Sequence, residues 1–118
     1  MSRVEPKVIR ANQFVLEDDN GTPRAMLTVS NNGVPGLYLY DDKGTPRAML
    51  GVSNDGSVLA LCDKNGTTLI SLTVSNDESS LRLSDDNGKT RVVLDVGNDG
   101  VPGLALLYGN GVRMWSKP

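Results

Sequence analysis

The chain has 118 residues, a net charge of −2 at pH 7 and no histidine. This length suits one domain or one repeat array, and without histidine the chain lacks the commonest general base and metal ligand. Basic residues do not cluster, which argues against nucleic acid and anionic membranes as partners. The single cysteine, Cys62, excludes an internal disulfide bond.

Residues 1–13 lie outside the pattern that fills the rest of the chain. Pro6 and the mixed charges predict an N-terminal arm, in which Val8 and Ile9 are candidates for a short edge strand or for docking on a neighbour. The arm has no continuous apolar stretch of the kind that a signal peptide needs, and no run approaches membrane-spanning length. We therefore expect a cytoplasmic protein by default.

Residues 14–118 are predicted to form one β-hairpin repeat domain. Its turn glycines recur at intervals of 22 or 23 residues: Gly21, Gly44, Gly66, Gly88 and Gly111. A fixed period of this size marks a repeat architecture. The units are 14–36, 37–58, 59–80, 81–103 and a shortened 104–118. Each unit contains an apolar run, an acidic turn with glycine, a second apolar run and a second polar turn.

Within each run, apolar residues alternate with a period of two. In the second unit, Leu37 and Leu39 precede the acidic turn, and Ala48, Leu50 and Val52 follow it. Strict alternation between turn residues indicates half-buried strands, and glycine supplies the positive φ that tight reversals need. The sequence therefore predicts an all-β fold, an antiparallel meander of about ten short strands with one hairpin per unit.

The second turns differ along the chain. Residues 34–36 and 101–103 lengthen two of them by one residue, and Glu78 replaces glycine in the third unit, where we expect a different turn shape. Pro23 and Pro46 are predicted to begin strands, a position that tolerates the missing N–H of proline.

A sheet with one apolar face must bury that face against something. We expect burial by homo-oligomerisation, with a prism-like trimer as the first choice, because medium aliphatic side chains suit a shared dry core. One alternative is a ten-stranded barrel, which these side chains would leave partly empty. Another is a β-solenoid, whose stacked coils would line one edge with turn aspartates: Asp18, Asp41, Asp63 and Asp85.

Residues 8–21, V-I-R-A-x-x-F-V-L-x-D-x-x-G, precede the segments P-R-A-M-L-x-V-S-N-x-G and G-L-x-L-x-D-x-x-G. This pattern resembles a group of uncharacterised bacterial proteins built from tandem GLxLYDxxGxxRAxLxV units, and the likeness covers residues 8–115. Residues 40–44 are also similar to one turn motif of the YD repeats in large bacterial shell proteins. Both resemblances imply a repetitive β scaffold rather than an enzyme.

Paired carboxylates recur in the acidic turns: Asp18-Asp19, Asp41-Asp42 and Asp85-Asp86. Catalytic carboxylates have to face each other across a cleft, whereas Asp in a repeated turn bonds its own backbone. Calcium binding is the alternative, although each loop offers only two or three oxygens. We expect turn chemistry, with no catalytic residue, no metal site and no cofactor.

Three arginines, Arg24, Arg47 and Arg91, recur at one position on the outer side of the predicted sheet. We expect each to pair with a carboxylate of a neighbouring turn, and an anion-binding ladder is the alternative. Cys62 has the same outward parity, and its thiol has no histidine to activate it. It is therefore expected to be a small, half-buried side chain.

Four residues are candidates for interfaces. Tyr38, Tyr40 and Met49 are apolar residues of outward parity and predict a second contact surface. Trp115 has inward parity, in the register of Ala25 in the first unit. It is predicted to cap the end of the core, and docking of a partner is the alternative.

These observations predict a non-catalytic structural or assembly protein, a repetitive β scaffold that self-associates. Its predicted partner is itself, with no nucleic acid and no membrane. Two alternatives stay open: a module that holds a small hydrophobic ligand inside a closed barrel, and a calcium-dependent adhesion domain. An enzyme is the class with the least support, because the sequence contains no catalytic fingerprint.

Overall fold

A computed structural model describes residues 5–110 and the backbone of residues 113–117. These residues form ten strands and no helix: β1 (Gln13–Glu17), β2 (Pro23–Val29), β3 (Pro35–Tyr40), β4 (Pro46–Ser53), β5 (Gly56–Cys62), β6 (Thr68–Ser75), β7 (Glu78–Ser84), β8 (Thr90–Gly97), β9 (Pro102–Leu107) and β10 (Arg113–Lys117).

All ten strands belong to one antiparallel sheet, and each strand pairs with its neighbours in the chain. Connections this short permit only antiparallel neighbours, so the predicted hairpin meander is confirmed. The solenoid alternative is wrong, because consecutive strands lie side by side in one sheet. The barrel alternative is also wrong, because β1 and β10 lie at opposite edges of a sheet that does not close.

The strand register places the inward residues in three straight rows, which together form the aliphatic face. The middle row, here called the leucine row, contains Phe14, Leu27, Leu37, Leu50, Leu59, Leu72, Leu81, Leu94 and Leu104. The acidic-turn row contains Leu16, Ala25, Leu39, Ala48, Leu61, Ile70, Leu83, Val92 and Leu106. The second-turn row contains Val29, Pro35, Val52, Ser57, Val74, Ser79, Val96 and Pro102.

The acidic turns share one three-residue loop geometry. In the second unit the N–H of Asp41 donates to the carbonyl of Thr45 at 3.0 Å, and the N–H of Gly44 donates to the carbonyl of Asp41 at 3.1 Å. Gly44 has a φ of 83°, the left-handed conformation that closes a three-residue hairpin loop. The repeated D-x-x-G sequence therefore encodes a repeated turn.

The second turns have two lengths. Gly33 and Gly100, at φ values of 79° and 80°, close three-residue loops between β2 and β3 and between β8 and β9. The other two reversals have only two residues between the strands. In the third unit the hydroxyl of Ser75 accepts the N–H groups of Asp77 and Glu78, both at 3.3 Å. A side chain therefore supports the turn that lacks glycine.

The sheet is open rather than compact. Its Cα radius of gyration is 18.7 Å, whereas a compact domain of this length has one of about 13 Å. Among the described residues, Ala60 is the one buried hydrophobic side chain, and it lies on the outer face, opposite the aliphatic face. A single layer of sheet leaves the aliphatic face without a covering layer from the described part of the chain.

The turn glycines can be tested with a matched pair of substitutions. Gly44→Ala forces a Cβ into the left-handed region, which costs about 1–2 kcal/mol, although no atom lies within 4 Å of the added group. Gly51→Ala, in the extended strand β4, meets its nearest atom at 4.0 Å and should be neutral or slightly stabilising. We expect urea denaturation to show a lower stability for Gly44→Ala than for Gly51→Ala. Equal stabilities of the two variants would contradict the role given to the left-handed turn glycine.

Candidate interaction face

The aliphatic face is the largest chemically uniform surface of the described chain. Its side chains are exposed in each of the first four units, among them Leu16 at 66%, Leu50 at 49% and Val74 at 54%. Isolated surface leucines are ordinary, but contiguous apolar surface of this extent marks an interaction site. The leucine row crosses nine strands without a polar residue, so the surface is continuous from β1 to β9.

The solvent-accessible area of the chain can be compared with that of a compact monomer to show how much surface is left uncovered. The chain exposes 8912 Å², whereas a compact monomer of 12.6 kDa exposes about 6,200 Å². The excess is about 2,700 Å², of which the exposed residues 5–12 supply a part. A standard protein interface hides about 800 Å² on each partner. The uncovered area is therefore large enough for a stable interface.

A repeated cluster of charged residues, here called the aspartate–arginine clasp, lies at the acidic-turn end of the sheet. In the second unit Oδ1 of Asp41 accepts the N–H groups of Lys43 and Thr45, both at 3.0 Å. Its Oδ2 lies 3.5 Å from Nη1 of Arg47. Nε of the same arginine donates to the carbonyl of Cys62 at 2.9 Å. The arginine thus joins its own turn to the first strand of the next unit.

The clasp recurs in the first and fourth units. Arg24 lies 3.7 Å from Asp18 and donates to the carbonyl of Tyr40, and Arg91 lies 3.3 Å from Asp85 and donates to the carbonyl of Leu107. The predicted ion pairs form, but each arginine pairs with the aspartate of its own hairpin rather than with a carboxylate of a neighbouring turn. In each unit a β-bulge inserts the arginine as an extra residue, and a bulge redirects the side chain it carries.

The third unit lacks the arginine. Leu69 occupies the bulge position there, between the paired residues Thr68 and Ile70. Oδ1 of Asp63 still accepts the N–H groups of Asn65 and Thr67 at 2.9 and 3.0 Å. The turn therefore forms without the arginine, which is an addition to it.

The first aspartate of each acidic turn is poorly placed to hold a metal ion. One oxygen of its carboxylate is used by two backbone N–H groups, and in three units the other faces an arginine. No cluster of three metal-ligating side chains occurs in residues 5–110. These contacts explain the repeated aspartate as a turn residue.

The backbone N–H of Thr45 makes the largest contribution that lowers the pKa of Asp41, and the N–H of Lys89 does the same for the pKa of Asp85. Desolvation opposes the shift in both residues, and the arginine adds a smaller lowering contribution. Both carboxylates therefore favour the ionised form in the folded chain.

The predicted second contact surface lies on the outer face. Tyr38 is paired with Met49 across β3 and β4, and its ring lies 6.4 Å from the ring of Tyr40, with the planes at 21°. A Cβ at Gly36 would come within 2.9 Å of the Tyr38 ring. Tyr38, Tyr40 and Met49 are half-buried, so they form one local cluster that is partly covered by its own members.

Two other residues singled out from the sequence have simple placements. Cys62 is half-buried, and its thiol lies 3.5 Å from the hydroxyl of Thr68. The backbone of Trp115 is paired with Leu106, the register that the repeat predicts. Its side chain lies outside the described residues, so the cap stays a prediction.

Sequence reasoning missed a groove on the aliphatic face. It measures about 520 Å³ and lies beside the second-turn row, where the small residues Ser57 and Ser79 stand between larger neighbours. Its walls include Leu59, Leu72 and Leu81 of the leucine row. The signal was present in the sequence, since serine at an inward position of β5 and β7 breaks the aliphatic pattern.

No protein-family model matches the chain, and no curated protein sequence matches it. Within the described residues, no helix is long and apolar enough to span a membrane.

The clasp predicts a specific response to acid. Because the pKa of Asp85 is lowered from its ordinary value of 3.8, its ionised form stabilises the fold above that pH. This stabilisation is lost as the pH falls through the lower pKa of the folded state. The melting temperature of the wild type should therefore fall more steeply below pH 3.8 than that of Asp85→Asn. Circular dichroism melts across this range would measure the difference.

The matched control is Asp86→Asn, an exposed carboxylate in the same turn. Its melting temperature should follow that of the wild type through the acid range. Parallel curves for the wild type and Asp85→Asn would contradict the role given to the clasp.

Proposed function

We propose that this protein is a non-catalytic structural scaffold that self-associates through its aliphatic face. The observation that carries the proposal is the leucine row, which runs unbroken across nine strands and has seven of its nine side chains exposed in the single chain. Burying one leucine side chain contributes about 1.5–3 kcal/mol. A second copy presents the same surface, so association buries both faces at once.

A prism-like trimer is the first choice for the assembly. The strands have five to eight residues, and a strand of six residues spans about 20 Å. If the strands of three copies form the three sides of a triangular prism, the middle of each strand lies about 6 Å from the axis of the prism. Leucine side chains fill that distance. The leucine row runs along the middle of the sheet, so three copies would meet in a dry aliphatic core.

The two alternative functions have less support. The hypothesis of a small hydrophobic ligand requires a closed barrel to hold it, and the sheet of one chain is open. Calcium-dependent adhesion requires several free oxygen ligands in each acidic turn, and the first aspartate of the turn is used by backbone N–H groups and, in three units, by an arginine. The outer face, with its half-buried tyrosine cluster, is left for contact with other components.

Light scattering coupled to size exclusion tests the proposal. The wild type should have a mass of several times 12.6 kDa, with three copies as the first expectation. Leu72→Lys introduces one ammonium group per copy into the apolar core, a change that costs several kcal/mol when the charge is unpaired. This variant should be monomeric or unfolded.

The matched control is Thr73→Lys. Thr73 is the next residue of β6 and lies on the outer face, two strands from Asp95. It should keep the mass of the wild type, because its side chain is directed away from the leucine row. A monomeric wild type, or an unchanged mass for Leu72→Lys, would overturn the proposal.

A further inference from the structure

The two rows that flank the leucine row differ in residue size in every strand from β2 to β9 except β8, which has valine in both rows. In β5, Leu61 lies in the acidic-turn row and Ser57 in the second-turn row, and β7 repeats this arrangement with Leu83 and Ser79. In β4 the order is reversed, with alanine in the acidic-turn row and valine in the second-turn row. Across β2 to β9, no strand has leucine in both flanking rows, and none has two residues as small as serine or alanine.

This complementarity has no role within one chain. Ser57 and Leu61 are four residues apart on one strand, a separation of about 13 Å, so their side chains are too distant to compensate for each other. The groove beside Ser57 and Ser79 confirms that nothing in the described chain fills the space above the serines. A large side chain of another copy fits there.

We propose that copies of the chain associate in parallel and in register around an axis that runs along the sheet, perpendicular to the strands. Around such an axis each strand meets the same strand of the next copy, and the acidic-turn row of one copy meets the second-turn row of the other. Leu61 and Leu83 of one copy then fill the groove over Ser57 and Ser79 of its neighbour. This inference rests on the proposed self-association and specifies the arrangement of the partner.

The opposite arrangement fits the same surfaces poorly. In this arrangement the second copy packs face to face with the first, but its strands run in the reverse order along the sheet. Strand β5 of one copy then meets β6 of the other, the two acidic-turn rows face each other, and so do the two second-turn rows. Leu61 would then meet Ile70, and Ser57 would meet Val74. One flank would be crowded by two large side chains, and the groove on the other flank would stay underfilled. Such mismatches of volume destabilise packed interfaces.

Cysteine cross-linking tests the register. In a Cys62→Ser background, Ser57→Cys and Leu61→Cys are combined in one chain. These two positions cannot bridge within the chain, because a disulfide needs Cα atoms within about 7 Å. Mild oxidation should therefore join different chains, and non-reducing electrophoresis should show covalent oligomers in high yield. The largest product should have the copy number that light scattering gives.

The control combines Ser57→Cys with Leu83→Cys. These two positions of neighbouring copies would lie opposite each other only if the copies were displaced by one repeat unit. In register, these positions are offset by two strands, about 9.6 Å along the axis, and should cross-link at least tenfold less. Light scattering on the reduced variants first confirms that they assemble. If they assemble but the control cross-links as well as the matched pair, the register is wrong while self-association stands. A monomeric wild type overturns both proposals.

Discussion

Each strand from β1 to β9 places its residues of the leucine row and the flanking rows on one side of the sheet, and the described chain supplies no second layer to cover them. Hairpin connections fix this arrangement, because a strand reversed through a tight turn keeps its alternation in phase with its neighbour. Nine consecutive strands repeat the same phase, and the result is a surface of leucine, valine and alanine that water alone would cover. The free energy of the fold therefore depends on what covers the aliphatic face.

The outer face shows how the single layer is held together locally. Each acidic turn uses one carboxylate oxygen to bind two backbone N–H groups, and three of the four complete units add an arginine that reaches the next hairpin. These contacts are local in sequence, so they stabilise each hairpin and its junction without a core. They set the shape of the sheet, whereas burial of the aliphatic face in the proposed assembly would supply the larger stabilisation.

The strands, their antiparallel order and the positions of the turns could be predicted from the sequence, because alternation and D-x-x-G turns are local signals. Closure could not be predicted, since open sheets, barrels and prisms share the same alternation. The partners of Arg47 were also out of reach. Arg47 forms an ion pair with the carboxylate of Asp41 in its own turn and donates a hydrogen bond to the carbonyl of Cys62 in the next unit. Both contacts follow from a β-bulge whose effect appears only in three dimensions.

The repeat also creates a problem that the flanking rows help to solve. Since the leucine row is nearly uniform, two copies displaced by one unit would still oppose leucine with leucine along most of their length. The displaced copies would leave one unit uncovered at each end, exposing about five apolar side chains per end at about 1.5–3 kcal/mol each. Flanking residues add selectivity, because Ala25 and Ala48 give way to Ile70 and Val92 along the acidic-turn row. In the proposed assembly, alignment in register therefore buries the most surface and matches the most volumes, with the leucine row favouring association and the flanking rows specifying the register.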